Sequence, residues 1–403
     1  MQYKSTRVGH LNMKYDHLLF ESRFECGNLR KAIQVAPLYY QLVLSPDINQ
    51  TTAHYQWFYF EVSNNQANLS YTFEIINCHK TGSMFSLGMQ PVLFSVADNC
   101  ENGTGWVRAG TSICYYRNLY CNNSLSPVKK EKQLKRFYSV RFNLIFRHQA
   151  DVSYIVFVYI SHLFLIYIVN KFCLNFSLIY KFFGSKIVHP GECNSSWIMH
   201  GILLKPKAVK LRENFIFKLI PMLNPDGVIQ GNHRCNLAGV DLNRVWDHPN
   251  KQLHPTIYHA KGIIQFMVEI LNKRPFIFVD LHGHSRQSSV FLYGNNPAES
   301  WYSGDRATEG KQEFIFLPKI LDKTSKGFCL SNCRFNITKS KESSARVTVW
   351  RQFGVTRSYT MESSYCGFES GCYAGLQIGI TELKEIGRDL CESLLCLRKI
   401  INE

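Results

Sequence analysis

Val188-His189-Pro190-Gly191-Glu192 decides how this chain is read. A histidine and a carboxylate three residues apart can grip one metal ion. The Pro-Gly pair between them makes a turn, set just after a strand, that can aim both side chains at the same point. Alone, an HxxE phrase is weak, because many arise by chance on helices, and the bland reading of His189 is an ordinary histidine. Further donors downstream weaken that reading.

Asp280-Leu281-His282-Gly283-His284 ends an apolar run and offers a third ligand. Alternation along a strand puts His282 and His284 on one face, so spacing leaves the choice between them open. Zinc takes imidazole nitrogen and carboxylate oxygen, and a catalytic site keeps one position for water. Glu362 follows a short β-like run, Val355–Met361. It is the candidate general base toward a water acidified by the metal, against the bland reading of a surface carboxylate.

Asp241-Leu242-Asn243-Arg244 follows a turn signal, Asn224-Pro225-Asp226-Gly227. Arg244 can make a two-pronged contact with a carboxylate and Asn243 can add a hydrogen bond, as holding a free C-terminus requires. The bland reading of Arg244 is a surface salt bridge. Asp241 is a candidate for orienting a ligating histidine from behind. Arg234 is a candidate for stabilising a developing oxyanion.

Outward from these phrases the chain divides. Residues 15–150 read as β-rich, with Tyr55–Val62 and Tyr71–Ile76 separated by Ser63-Asn64-Asn65, and predict an antiparallel β-sandwich domain. Residues 187–401 alternate compact apolar runs (Phe215–Ile220, Phe276–Leu281) with helical spacing (Tyr258–Leu271, Leu376–Ile400). They predict an α/β domain whose mixed central sheet is flanked by helices, with ligands at strand ends. Ser124–Lys135 reads as a basic loop. The segment 151–186 is anomalous: Val152–Phe183 is dominated by Phe, Tyr, Ile, Leu and Val, with few charges. Three readings compete for it: a pair of buried strands, a membrane span over Val152–Val169, or translated AT-rich non-coding sequence such as a retained intron.

The 403 residues carry a formal charge of +16, spread thinly. With no nucleic-acid motif, an acidic protein partner is favoured over DNA. Fourteen cysteines without a CxxC pair, and a start with no secretory signal, predict reduced thiols and a cytosolic location.

These phrases resemble the cytosolic carboxypeptidases, the deglutamylase branch of the zinc metallocarboxypeptidases, and most of all the group containing cytosolic carboxypeptidase one. The likeness is carried by Phe20–Leu29, Gln56–Phe60, Gly88–Pro91, His254–Gly262, Leu317–Leu321, Lys339–Val347 and Arg357–Ser363 besides the site phrases. The resemblance implies one zinc ion on His189, Glu192 and His282, with Glu362 as the catalytic carboxylate and Arg234 polarising the scissile carbonyl. It implies that Asn243 and Arg244 hold the substrate C-terminus. Family substrates are glutamate-rich tails, above all polyglutamylated tubulin. A cation must then read the glutamate side chain, and Arg346, Arg351 and Arg357 are the candidates. The stretch before His189 is shorter than the family's and unlike it, and the helix after Glu192 looks shortened around Leu203–Leu211. The long N-terminal helical extension of the family's larger members has no counterpart in the sequence given. An inactive binding module and a membrane-tethered peptidase are the alternative readings.

Overall fold

The computed structural model describes residues 16–49, 54–121, 136–160, 180–186, 188–203, 211, 213–307 and 312–402. The chain forms two compact units, residues 1–159 with 228–233, and residues 160–227 with 234–403.

The first unit holds β1 (Leu19–Glu21), β2 (Leu29–Ala36), β3 (Tyr39–Leu44), β4 (Tyr59–Ser63), β5 (Ser70–Cys78), β6 (Val92–Ser95), α1 (Val96–Asn102), β7 (Val107–Arg108), β8 (Thr111–Cys121), β9 (Arg136–Ile145) and β10 (Ser153–Val156). They make two five-stranded sheets, ordered β1-β4-β10-β6-β7 and β2-β3-β5-β9-β8. In β3 the alternation is plain: Tyr40, Leu42 and Leu44 are buried, while Tyr39, Gln41 and Val43 are only partly so. The inward sets meet as aromatic contacts, Phe20 on Phe73 and Phe58 on Phe142.

Two features depart from the expectation. The sheets are antiparallel except where β3 runs parallel to β5, from Tyr39↔Thr72 to Leu42↔Ile75. The chain visits the other sheet as β4 between them, which supplies the crossover a parallel pair needs. The unit also continues to Tyr159 rather than ending at 150. The start of the anomalous segment is the strand β10, inserted between β4 and β6, with Ile155 and Val156 wholly buried.

The second unit is built on β11 (Tyr180–Lys186), β12 (Phe215–Ile220), β13 (Ile277–His284), β14 (Val290–Tyr293) and β15 (Ser358–Ser364), in the order β12-β11-β13-β15-β14. All pairs are parallel except β14 with β15. Its main helices are α2 (Asn194–Leu203), α3 (Pro255–Gln265), α4 (Phe316–Thr324), α5 (Ala345–Phe353) and α6 (Ile380–Asn402). The sheet has apolar layers on both faces, which is why β13 reads as a continuous apolar run. Ile277, Val279 and Leu281 pack with Ile198 of α2, Leu321 of α4 and Leu390 of α6. Phe278 packs with Ile257 of α3 and Val349 of α5. A period of two therefore sends the even-numbered side chains of β13 to the α3/α5 side. Helices α2 and α6 approach closely at Gly201 and Gly387, where an added Cβ would lie 2.1 Å from a backbone oxygen of the other helix.

Helix α3 stops at Gln265, and Phe266–Ile270 forms a π-type turn where continuous α-helix to Leu271 was expected. Helix α2 runs to Leu203, and residues 204–210 lie outside the described residues. The basic loop Ser124–Lys135 and the part of Val152–Val169 from residue 161 onward also lie outside them. Among the described residues no helix is long and apolar enough to cross a membrane.

Candidate metal centre

Strand β11 delivers the chain to Val188, and His189–Glu192 then turns, closed by a 3.1 Å bond from the Glu192 N–H to the His189 carbonyl. Asn224, in the turn expected after β12, donates to the Val188 carbonyl at 3.2 Å. The turn leads straight into α2, where the Ser195 hydroxyl donates to the Glu192 carbonyl. His189 Nδ1 lies 2.8 Å from Glu192 Oε1, and His282 Nδ1 lies 2.6 Å from Glu192 Oε2. One ligand atom from each of His189, Glu192 and His282 falls within 4.8 Å of the others.

Both imidazoles are backed by carboxylates. His189 Nε2 meets Asp241 Oδ1 at 2.9 Å, and His282 Nε2 meets Asp280 Oδ2 at 2.7 Å. A carboxylate behind each Nε2 can hold a proton there when a cation takes the place between each Nδ1 and Glu192. The three inward donors fit a divalent metal ion.

The electrostatics follow from this packing. Burial would raise the Glu192 carboxyl, but the His189 and His282 imidazoles outweigh it and hold it well below the usual range. Burial would lower His282, but Asp280 and Glu192 outweigh that and raise it well above the ordinary imidazole value. For Asp241 the burial effect is again overturned, by His189 first and then Arg234.

Strands β13 and β15 pair with His282 directly opposite Glu362. Glu362 lies inside β15 rather than after it, on the same face as the triad. Its Oε2 is buried without a hydrogen-bond partner, with His284 Nδ1 at 3.6 Å from it. The two histidines left open by spacing are thus separated: His282 faces Glu192, and His284 faces Glu362.

Arg234 grips Asp241 with Nε at 2.7 Å and Nη2 at 2.6 Å, leaving Nη1 4.0 Å from Glu192 Oε1. Arg244 donates to the Asn243 carbonyl at 2.6 Å, and among the described residues no carboxylate lies within ion-pair distance of it. Burial lowers its pKa. Asn243, expected at the substrate's C-terminus, has its amide engaged by protein at both ends: Nδ2 donates to Asp280 Oδ2 at 3.2 Å, and Oδ1 accepts from the Ala345 N–H at 2.9 Å.

The three candidate arginines separate. Arg351 is paired with Asp305 at 3.0 and 2.7 Å. Arg357 is paired with Glu313 and lies over the Phe276 ring. Both guanidiniums are committed to carboxylates away from the triad. Arg346, at the start of α5, is buried; it donates to the Gly294 carbonyl and to Asn295 Oδ1, with no carboxylate in ion-pair range among the described residues. Burial pushes it down to about 10, with Tyr293 and then Glu362 opposing the shift.

Three further residues belong here. Asp280 was missed, although its place two before His282, on the same face, was the signal for it. Tyr365 had no such signal: its ring packs on Gly283, where an added Cβ would lie 2.4 Å from it, so only glycine fits between the two histidines. Lys341 is held below its ordinary range by desolvation and then by the Arg244 and Arg234 guanidiniums. The cysteines among the described residues are not joined in disulfides.

This arrangement is that of a zinc carboxypeptidase. The zinc carboxypeptidase family profile matches residues 195–393, and the profile of the cytosolic carboxypeptidase N-terminal domain matches residues 20–124. Solved metallo-carboxypeptidases share the fold. One from Burkholderia cenocepacia has a TM-score of 0.73 at 16% identity, covering 96% of this chain and 100% of its own. One from Pseudomonas aeruginosa, in complex with (2-guanidinoethylmercapto)succinic acid, has a TM-score of 0.72 at 19% identity, covering 94% and 99%.

Within that class the chain belongs to the cytosolic carboxypeptidases. It is 43% identical to cytosolic carboxypeptidase 1 of Gallus gallus over 437 positions, taking in 96% of this chain and 35% of the relative. The Homo sapiens protein of the same name gives 43%, again with 96% of this chain and 35% of the relative. Cytosolic carboxypeptidase 4 of Mus musculus gives 42%, with 94% and 38%. The chain thus spans little more than a third of the length of these relatives.

Proposed function

We propose that the chain is a zinc-dependent carboxypeptidase that removes glutamates from acidic or polyglutamylated protein tails, tubulin's among them, in the cytosol. The observation that carries this reading is the register of β13 on β15, which sets the unpartnered Glu362 oxygen across from the triad ligand His282. Two imidazoles and a carboxylate are the donors zinc takes in sites that keep a fourth position for water or substrate. A zinc ion held by His189, Glu192 and His282 would acidify a water and polarise the scissile carbonyl.

The chain's own residues do the rest. Glu362 takes the proton of the attacking water and passes it to the departing amine. Arg234 supports the carbonyl oxygen as charge develops there, and Arg244, free of a carboxylate, takes the substrate's terminal carboxylate. Arg346 is the cation that reads the glutamate side chain, because Arg351 and Arg357 are already neutralised. The +16 charge of the chain suits an acidic tail.

The test is Glu362→Gln on a synthetic peptide ending in glutamates. Zinc content should match the wild type, while glutamate release falls by at least about 100-fold. Full activity in the zinc-loaded variant overturns the assignment.

A further inference from the structure

The strap Ile337–Ala345 runs beside the site and is tied down at both ends. At its start the Ile337 N–H donates to the Glu299 carbonyl at 3.2 Å, and the Trp301 N–H donates to the Ile337 carbonyl at 2.9 Å. At its end the Trp246 N–H donates to the Ser343 carbonyl at 3.1 Å, and the Ser343 hydroxyl donates to Asp247 at 2.9 Å. That end therefore lies along the segment that carries Arg244. Between the two ends Lys339–Lys341 forms one short helical turn.

Both lysines of that turn reach solvent, and among the described residues neither makes an ion pair. Lys339 Nζ lies 5.3 Å from the centre of the exposed Trp301 ring, which steadies it without neutralising it. Lys341 stands nearer the site. Desolvation and then the Arg244 and Arg234 guanidiniums hold its pKa down, with Glu362 and Asp241 opposing the shift. Like charges kept this close, with no protein carboxylate to pair them, leave the site short of negative charge. A terminal glutamate brings two carboxylates, and Arg244 and Arg346 account for both. Lys341 and Lys339 are left over.

We propose that Lys341 and Lys339 take the side-chain carboxylates of acidic residues upstream of the scissile bond, with Trp301 holding Lys339 in place. The strap is then an extension of the substrate site that recognises a run of glutamates rather than a single terminal one. This rests on the glutamate-tail reading of the site. Two positions on a tight helical turn advance about 4 Å, close to the ~3.4 Å between successive residues of an extended tail.

The test compares two synthetic peptides, one ending in a single glutamate after serines and one ending in four glutamates. Wild type, Lys341→Gln, Lys339→Gln and the double variant are measured by initial rates. KM for the four-glutamate peptide should rise about 2- to 5-fold in each single variant and about 4- to 25-fold in the double, with kcat unchanged. KM for the single-glutamate peptide should stay within about twofold. Lys341→Arg should keep the wild-type value. Binding without turnover is read by fluorescence anisotropy of the labelled four-glutamate peptide on zinc-loaded Glu362→Gln, with and without the lysine changes.

Equal rises on both peptides would mark the lysines as structural and overturn the proposal. Unchanged KM and unchanged peptide affinity in the double variant overturn it too, and leave the proposed activity standing. A protein that binds the four-glutamate peptide through the two lysines yet cleaves nothing keeps the strap and sinks only the activity. One that neither binds nor cleaves overturns both.

Discussion

Each unit buries a glutamate on its sheet, and the two are treated differently. In the first unit Glu74 accepts hydrogen bonds from the Tyr39 and Tyr116 hydroxyls and from the Gln41 amide at 3.1 Å. In the second, Glu192 faces two imidazoles. Both carboxyls are held low against the effect of burial, Glu74 by neutral donors and Glu192 by the histidines. Neutral donors on fixed strands saturate a carboxylate and leave no place for a ligand. Imidazole protons can be exchanged for a metal ion, so Glu192 sits in a group built to be completed. Burial alone does not separate a structural carboxylate from a functional one; the kind of partner does.

Substitution at each glutamate should break the parallel. Glu192→Ala should cost at least about 10³-fold in zinc affinity, more than the 10- to 100-fold typical of an outer partner, and abolish turnover. A metal-affinity titration reads this directly. At the substrate-reading position, Arg346→Ala should raise KM for a glutamate-ended peptide by about 10- to 100-fold, with zinc content unchanged. Arg351→Ala, already tied to Asp305, should leave KM alone; comparable KM effects in the two would erase the distinction drawn between them.

For Glu74, the isosteric Glu74→Gln change turns an acceptor into a donor facing a tyrosine hydroxyl. It should cost about 1–3 kcal/mol of stability by denaturant unfolding, with zinc binding intact. The smallest effect concerns pH. Because the folded Glu74 carboxyl lies below its unfolded value near 4.3, its contribution is present above that value and lost as pH falls through the folded one. Between about pH 5 and pH 2 the wild type should lose stability more steeply than Glu74→Gln, and identical slopes would show that Glu74 does not carry this linkage.

Much of the site was legible because its chemistry is local. The HPGE turn brings His189 and Glu192 side by side through a short local segment, and strand period explains why Asp280, His282 and His284 share a face. Asp241 stands behind His189 as its type and neighbourhood suggested. The N-terminal β-sandwich was legible from aromatic alternation. The parallel β3–β5 pair and the β10 insertion were not, because both depend on which sheet a strand joins, and alternation looks the same in either.

The sequence by itself determined the donor types, the strand and helix patterns that carry them, and the family. Tertiary structure alone decided which histidine meets Glu192, which arginine stays unpaired and where the Asn243 amide points. The reason is that Asp305, Glu313 and Ala345 are distant in sequence from the groups they meet or leave. A charged side chain is free or committed according to those folded neighbours, whatever its own type.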